Sequence, residues 1–426
     1  MIKQLIQDLN AGTAIERLKA LTSLVQYVQN GEMSFDEGKD YVNNHIHTIY
    51  SFSPYSPSKA IWMAKLAGLR TAGIIDHDSI NGAEEFIVAG KLLDMPTTIG
   101  IECRVSMKHT PFHNRRINHT DQTGIAYVAM HGIPHTKIQE IEVFMRPYLE
   151  KRNLRNRKMI DKINALFPEK IVDFDADVRP ISQSHEGGSI TERHLLFALS
   201  INLMKKYGKG QGLVTFLVEQ FGLEIKGKAL DYLLDLDNPH YSYDLLGVLK
   251  GHFVSKFYID ADEECLDVTE FIAKAKEVGA ISAYAYLGDL KNSVTGDKRD
   301  DQFEDDYIDE LFDYLKKIGF NAVTYMPSRN TPEQLERVRK LCNQHKFFEI
   351  SGEDINSPRQ SFICEALLKE EFNNLITATW AMIGHEVAST EDASEGLFSH
   401  KMIEKYPMLG DRVTYYFEIG KKQETF

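Results

Sequence analysis

Two histidines one residue apart, His45 and His47, open the stretch where side chains of chemical use begin to gather. In an extended strand, residues i and i+2 leave from one face, roughly 7 Å apart along the backbone. Two imidazoles so placed can converge on one cation, and imidazole is the commonest metal ligand. The same pair can also bond only backbone or water. A second group, Asp76-His77-Asp78, directly follows the apolar run at 72–75. Three titratable side chains at the end of a buried strand are costly unless paired or bound to metal. Asp78, just before Ser79 and a helix, also reads as a cap. Glu102 lies inside the apolar run at 99–105, where a carboxylate needs a strong partner: a cation such as Arg104, or a metal ion, two of which one carboxylate can bridge. Asp354 follows the strand-like 347–351, with Gly352 supplying backbone freedom. Glu353 and Asp354 alternate sides, so one of them faces inward.

The remaining histidines are harder to place. His131 and His135 end another strand-like run. Ser189 and Glu192 have the spacing of a capping box. That reading assigns Glu192 to structure and leaves His194, just inside the helix, as a candidate ligand. Arg193 beside it is a candidate for phosphate recognition, because a guanidinium meets phosphate bidentately; a surface residue on a first helical turn is the alternative. His109, His113 and His119 share a polar loop with Arg115 and Arg116, read as solvated or facing a substrate.

These groups need elements to position them. Thr13 and Glu16 form a T-x-x-E box ahead of a helical apolar pattern, so residues 1–40 read as a helical extension. From Tyr41 the pattern becomes strand, then a helix opened by Ser56-Pro57, a strand ending in Asp76-His77-Asp78, a helix over 82–93, and a strand holding Glu102. The rhythm returns late, with a Thr331/Gln334 box opening one of the helices. Strand–helix alternation at both ends predicts a barrel or a doubly wound sheet, and polar clusters at the ends of several different strands favour the barrel. Residues 136–260 read as a mostly helical insertion between a first barrel part, 41–135, and a second, 261–426. The charged run at 297–306 reads as a solvated loop.

Composition narrows the function. The chain has 426 residues, 43% of them apolar, and a net charge of −13 from 62 acidic and 49 basic side chains. Such a surface repels nucleic-acid backbones and leaves a small substrate as the natural partner. The cysteines, Cys103, Cys265, Cys342 and Cys364, are widely spaced. They match neither a disulfide framework nor a zinc finger and fit a reducing compartment. With no signal-peptide pattern and no span-length apolar run, a cytoplasmic protein without a membrane association is expected.

HIHTIYSFSPYSPSKAIWMAKLAGLRTAGIIDHDSINGAEEF followed by IGIECRV resembles the opening of the PHP (polymerase and histidinol phosphatase) superfamily: an H-x-H strand, an S-P helix start, a D-H-D strand end and a G-I-E strand, in that order. The resemblance covers about 41–105 closely and resumes in GSITERHLLFAL and SGEDIN. It implies a distorted (β/α)7 TIM-like barrel binding two or three divalent ions (Zn, Mn or Fe), and hydrolysis of a small phosphate ester by metal-activated water. By that match His45, His47, His77, Glu102, His131, His194 and Asp354 become metal ligands, and Asp76 a ligand or a ligand's partner. His45, His47, Glu102 and Asp354 would hold one ion, with Glu102 bridging to a second bound by His194 and His131. Asp76 and His77 would orient the site or protonate the leaving group, and Arg193 would meet the phosphate. The chain departs from the family pattern in three places: the loop after H-x-H reads SFSPYSP, Tyr284 or Tyr286 stands where a histidine is expected, and Asn356 replaces the last histidine. These losses bear on a third ion. They also keep open a second class of function, a non-catalytic metal- or ligand-binding regulatory module. A nuclease is a third class, disfavoured by the charge.

Overall fold

The computed structural model describes residues 1–35, 38–119, 121–289 and 302–425. The expected helical extension is two helices, α1 (Ile2–Asp8) and α2 (Ala14–Gln29). Thr13 caps α2 through the T-x-x-E box, its backbone N–H donating to Glu16 at 2.8 Å. The extension is fastened to the barrel by a buried ion pair: Arg17 on α2 donates to Glu85 at 2.6 and 3.0 Å, and Glu85 also accepts from Ser58 Oγ at 2.6 Å.

The sheet begins with β1 (Tyr41–Ile46), β2 (Leu69–His77) and β3 (Thr97–Ser106), parallel to one another. They are joined by α3 (Pro57–Leu66), capped by Ser56, and α4 (Ala83–Leu92). β4 (Ile125–His131) departs from the expected rhythm and runs antiparallel to β3. A parallel pair needs a crossover, usually a helix. The described residues between β3 and β4 hold no helix, so the chain turns back along the same edge. Consequently His131, though last in its strand, lies opposite Gly100, two residues before Glu102.

The insertion follows as α5 (Ile138–Asn164), α6 (Glu192–Tyr207), α7 (Gln211–Phe221), α8 (Gly227–Leu234) and α9 (Tyr241–Phe257). It has an apolar core of its own, built on residues such as Ile160, Leu199, Leu217, Leu249 and Phe253, into which Phe52 from the loop after β1 also packs. β5 (Leu266–Asp267) adds a short parallel pairing to β3, and α10 (Val268–Val278) leads back to the barrel. β6 (Ile281–Ala285) pairs antiparallel with β4. β7 (Ala322–Tyr325) and β8 (Phe348–Ser351) then restore parallel order, with α11 (Ile308–Ile318) before β7 and α12 (Pro332–His345) between β7 and β8. Residues 297–301 of the charged run lie outside the described residues.

The sheet order β1-β2-β3-β4-β6-β7-β8 nearly closes into a seven-strand barrel, a distorted TIM-like fold. Closure joins the first and last strands just past their ends. Ile46 and Ile355 form a parallel bridge, with His47 N–H donating to the Ile355 carbonyl and Ile355 N–H to the His45 carbonyl, both at 3.0 Å. Asn44, a polar residue in a buried strand, serves the same seam by donating to the Ser351 carbonyl at 2.8 Å. Gly352 is required by proximity rather than by a left-handed backbone: a Cβ there would lie 2.6 Å from the Cβ of His45. The seam thus carries His45 and Asp354 into one neighbourhood although they are three hundred residues apart in sequence. At the opposite end α13 (Asn373–Glu391) packs over the strand starts. Its buried Glu386 accepts from Thr98 Oγ1 at 2.8 Å and faces His135 at 2.7 Å, which makes His135 a structural residue. Two further helices, α14 (His400–Lys405) and α15 (Leu409–Lys421), complete this layer.

Candidate metal centre

Five of the predicted residues meet at the barrel mouth. The ligand-capable atoms of His45, His47 and Asp354 all lie within 4.8 Å of one another, as do those of His47, His77 and Glu102. The two groups share His47. His45 Nε2 and His47 Nε2 are 3.2 Å apart. Asp354 Oδ1 is 3.2 Å from His47 Nε2, and Glu102 Oε2 is 3.0 Å from His77 Nδ1 and 3.8 Å from His45 Nε2. Glu102 therefore faces the centre, and the ion pair with Arg104 considered from sequence does not form. Arg104 instead meets Glu192 at 3.2 Å. Glu353 turns away and accepts from Ser328 at 2.6 Å.

Electrostatics sharpen the cluster. Burial works against the Glu102 carboxylate, yet His77 and His45 hold it well below the usual range. Burial likewise opposes Asp354, and His47, His45 and Arg193 outweigh it. Burial lowers His47, reinforced by His77, whereas on His45 burial loses to the carboxylates of Glu102 and Asp354, so that ring is raised.

The His47 tautomer follows from its neighbours. Ser51 Oγ lies 2.6 Å from Asp76 Oδ1 and 3.2 Å from His47 Nδ1. A carboxylate only accepts, so Ser51 donates to Asp76 and its oxygen accepts from Nδ1–H. Nε2 is left with its lone pair toward His45 and Asp354. Asp76 accepts three hydrogen bonds at 2.6 Å, from Ser51 Oγ, Thr48 N and Thr48 Oγ1. It is 1% exposed and stands behind the cluster, where its bonds hold Ser51 and Thr48. Asp76→Asn is expected to lower metal affinity and kcat/KM by about tenfold to a hundredfold. The amide oxygen would keep the Oδ1 place, where the Thr48 N–H donates, so Ser51 would still donate to it, but the Asp76–Ser51–His47 relay would lose the charge that fixes Ser51 and, through it, the His47 ring. Metal titration of the variant checks this, and wild-type affinity would rule the relay out.

His131 and His194 fall outside both groups. His131 is buried on β4, its Nε2 has no hydrogen-bond partner, and burial with the nearby His45 holds it at about 3. That orphaned nitrogen, close enough to feel both His45 and Glu102, is a donor that a bound cation would satisfy. The α6 cap lies two residues later than the sequence spacing predicts: Thr191, not Ser189, is the cap, and His194 completes its box. His194 Nδ1 accepts from Thr191 N–H at 3.0 Å, and burial holds the ring neutral at about 3. The proton must then sit on Nε2, and this tautomer has no lone pair for a cation. Tyr284 is buried, and Tyr286 donates to Asp305 at 2.6 Å.

A cavity of about 240 Å³ opens over the cluster, lined by His45, His77, Glu102 and Asp354. Arg193, Leu196, Lys250, Val254 and Tyr258 bring the insertion to its wall. Tyr127, which the sequence did not single out, and His119 also line it. Tyr127 stacks on His119 with ring centroids 5.3 Å apart and planes 11° apart, and it also lies 5.8 Å from the His77 ring. His119, read from sequence as part of a loop that is solvated or faces a substrate, lines the cavity, is 2% exposed and is held at about 3 by burial and by Arg104. The signal available was weak: a histidine in a polar loop looks solvated until a distant segment covers it.

No family model matches the chain, and no curated protein matches it. Solved structures do. A protein from Bifidobacterium adolescentis described as a metal-dependent phosphoesterase superposes with a TM-score of 0.52 at 18% identity, over 80% of this chain and 98% of its own. An amidohydrolase from Chromobacterium violaceum, with bound sulfate and no metal, superposes with a TM-score of 0.50 at 15% identity, over 76% of this chain and 90% of its own. These likenesses show the fold.

Proposed function

On this PHP-like barrel, the fold it shares with a metal-dependent phosphoesterase, we propose that the chain hydrolyses a small phosphate ester with divalent ions held among His45, His47, His77, Glu102, His131 and Asp354. The convergence of five ligand-capable side chains from four strand regions, four of them lining one cavity, carries the reading. The donor set, imidazole with carboxylate, suits zinc, manganese or iron. His47 has one lone pair and would serve one ion, so a second ion would depend on Glu102, whose carboxylate faces both His45 and His77. Ions so bound would supply Lewis-acid charge stabilisation and a nucleophile at neutral pH.

The chain's own residues then have separate tasks. Asp76 and Ser51 fix the His47 ring, and Asp354 and Glu102 bring the negative charge that attracts the cations. Arg193 faces the substrate side. The cavity lining is balanced: Arg104, Arg152, Arg193, Lys250 and Arg329 stand against Asp78, Glu102, Asp121, Glu192 and Asp354. On a chain of net charge −13, bound divalent ions would make this the positive place, where a small anion is drawn and a long nucleic acid is repelled elsewhere. No described helix is long and apolar enough to cross a membrane, and all four cysteines are buried thiols. The buried thiols suit a reducing, cytoplasmic setting.

Metal content and turnover of 4-nitrophenyl phosphate test the proposal together. The expected result is two ions per chain, with activity lost to chelator and restored by zinc or manganese. Metal-loaded protein that hydrolyses no phosphoester would replace this reading with that of a binding module, which the loss of ligands at Tyr284 and Asn356 also accommodates.

A further inference from the structure

Resting on the phosphoester reading, we propose that the site selects phosphate monoesters over diesters, with Arg193 making the distinction and Asn356 positioning it. Near pH 8 a monoester carries two negative charges and three non-bridging oxygens. A diester carries one charge and two such oxygens, with a second carbon substituent in place of the third. A site that rewards the monoester needs a cationic donor at that third oxygen, beyond the metal ligands.

Arg193 fits the requirement. It lies on the first turn of α6, is half-buried, and lines the cavity with Asp354 and Asn356. Its Nη1 donates to Asn356 Oδ1, and Asn356 Nδ2 donates to Asp354 Oδ1 at 2.5 Å. Asp354 Oδ1 is in turn 3.2 Å from His47 Nε2. The amide orientation is forced, because a guanidinium only donates and a carboxylate only accepts. A direct Arg193–Asp354 pair would occupy both groups. The intervening amide holds the guanidinium at a fixed place beside the cluster while its other N–H donors bond no described residue. Asn356 is itself held: its N–H donates to Gln360 at 2.7 Å, and its neighbour Ile355 is in the barrel-closing bridge. A diester would place carbon against those unbonded donors and desolvate them without return, a penalty as selective as the gain for the right ligand. Phe52, Leu196, Val254 and Tyr258 crowd the same cavity, leaving room to match one organic arm more readily than two.

The test compares 4-nitrophenyl phosphate with bis(4-nitrophenyl) phosphate at pH 8 in the full-length, metal-loaded protein. Wild type is expected to favour the monoester in kcat/KM by about a hundredfold. Arg193→Met lowers the monoester value more than the diester value, shrinking the ratio by about tenfold or more, the scale of a lost charge-assisted hydrogen bond. Asn356→Ala, compared at saturating metal, shrinks it in the same direction by a smaller factor. General damage to the fold would lower both substrates together and leave the ratio in place. Calorimetric binding of phenylphosphonate against its monomethyl ester gives the same comparison without turnover. Preference for the dianion that disappears in Arg193→Met upholds the inference even if neither ester is hydrolysed. A ratio near one in wild type, or a ratio that Arg193→Met leaves unchanged in both assays, overturns it while the hydrolase reading stands or falls on its own assay.

Discussion

Glu102→Gln is expected to reduce kcat on a phosphoester by on the order of a hundredfold to a thousandfold, the range for losing one preorganised electrostatic element, and to lower metal content toward one ion per chain. The substitution keeps shape and removes charge. Glu102 is the carboxylate that three rings approach, with Oε2 3.0 Å from His77, 3.8 Å from His45 and 3.9 Å from His47. A glutamine oxygen can still accept, but it cannot offset two divalent ions, and its NH2 would confront imidazole nitrogens that must stay free for metal. The metal-free protein supplies a second readout. Burial lowers the affinity of His45 for a proton, and Glu102 foremost among its neighbours reverses this. Without that charge, the proton-bound form of His45 loses its main support and its NMR titration midpoint falls. A variant with full metal content, wild-type turnover and an unmoved His45 would show that Glu102 is a bystander.

Much of the framework was legible because it rests on local rules. The boxes at Thr13 and Thr331 and the cap at Ser56 form as their spacing requires, since each closes within a single turn of chain. The strand ends bearing His45, His77 and Glu102 also stood out, because titratable side chains beside long apolar runs are costly without a purpose. What escaped depends on long-range partners. The direction of β4 goes with a preceding connection whose described residues hold no helix, which apolar periodicity does not report. The α6 cap was placed two residues early because Ser189 and Thr191 both have cap chemistry. Only the fold shows that Ser189 is engaged by Arg152 and that His194 completes the box of Thr191. Arg104 looked like the partner of Glu102 two residues away, yet the insertion brings Glu192 to it, and Arg155 on α5 joins the same buried network through Glu192. His119 and Tyr127 become cavity walls only because Tyr258, more than a hundred residues later, packs beside His119.

The joint between insertion and barrel leads to the largest expected loss of stability. Arg152 on α5 donates to Asp78, at the end of β2, and to Ser189 Oγ at 3.0 Å, with both charged side chains almost wholly buried. Asp78 also has a left-handed backbone, φ 53°, a conformation aspartate tolerates better than most residues, and its N–H donates to the Glu102 carbonyl at 2.8 Å. One ion pair thus ties the insertion to the residue that follows His77 and is bonded to Glu102. Arg152→Met preserves much of the volume but strands a buried carboxylate, at a cost of about 3–5 kcal/mol. Asp78→Asn in the same chain removes the stranded charge while keeping a residue that accepts the left-handed backbone, so the double variant should recover most of that loss. This recovery separates charge from packing, because a packing defect would persist in the double variant. Urea unfolding of the wild type, both single variants and the double variant gives the coupling directly. A cost under about 1 kcal/mol for Arg152→Met, or no recovery on adding Asp78→Asn, would mean that the insertion is held by its apolar contacts and that this charge pair contributes nothing to the joint.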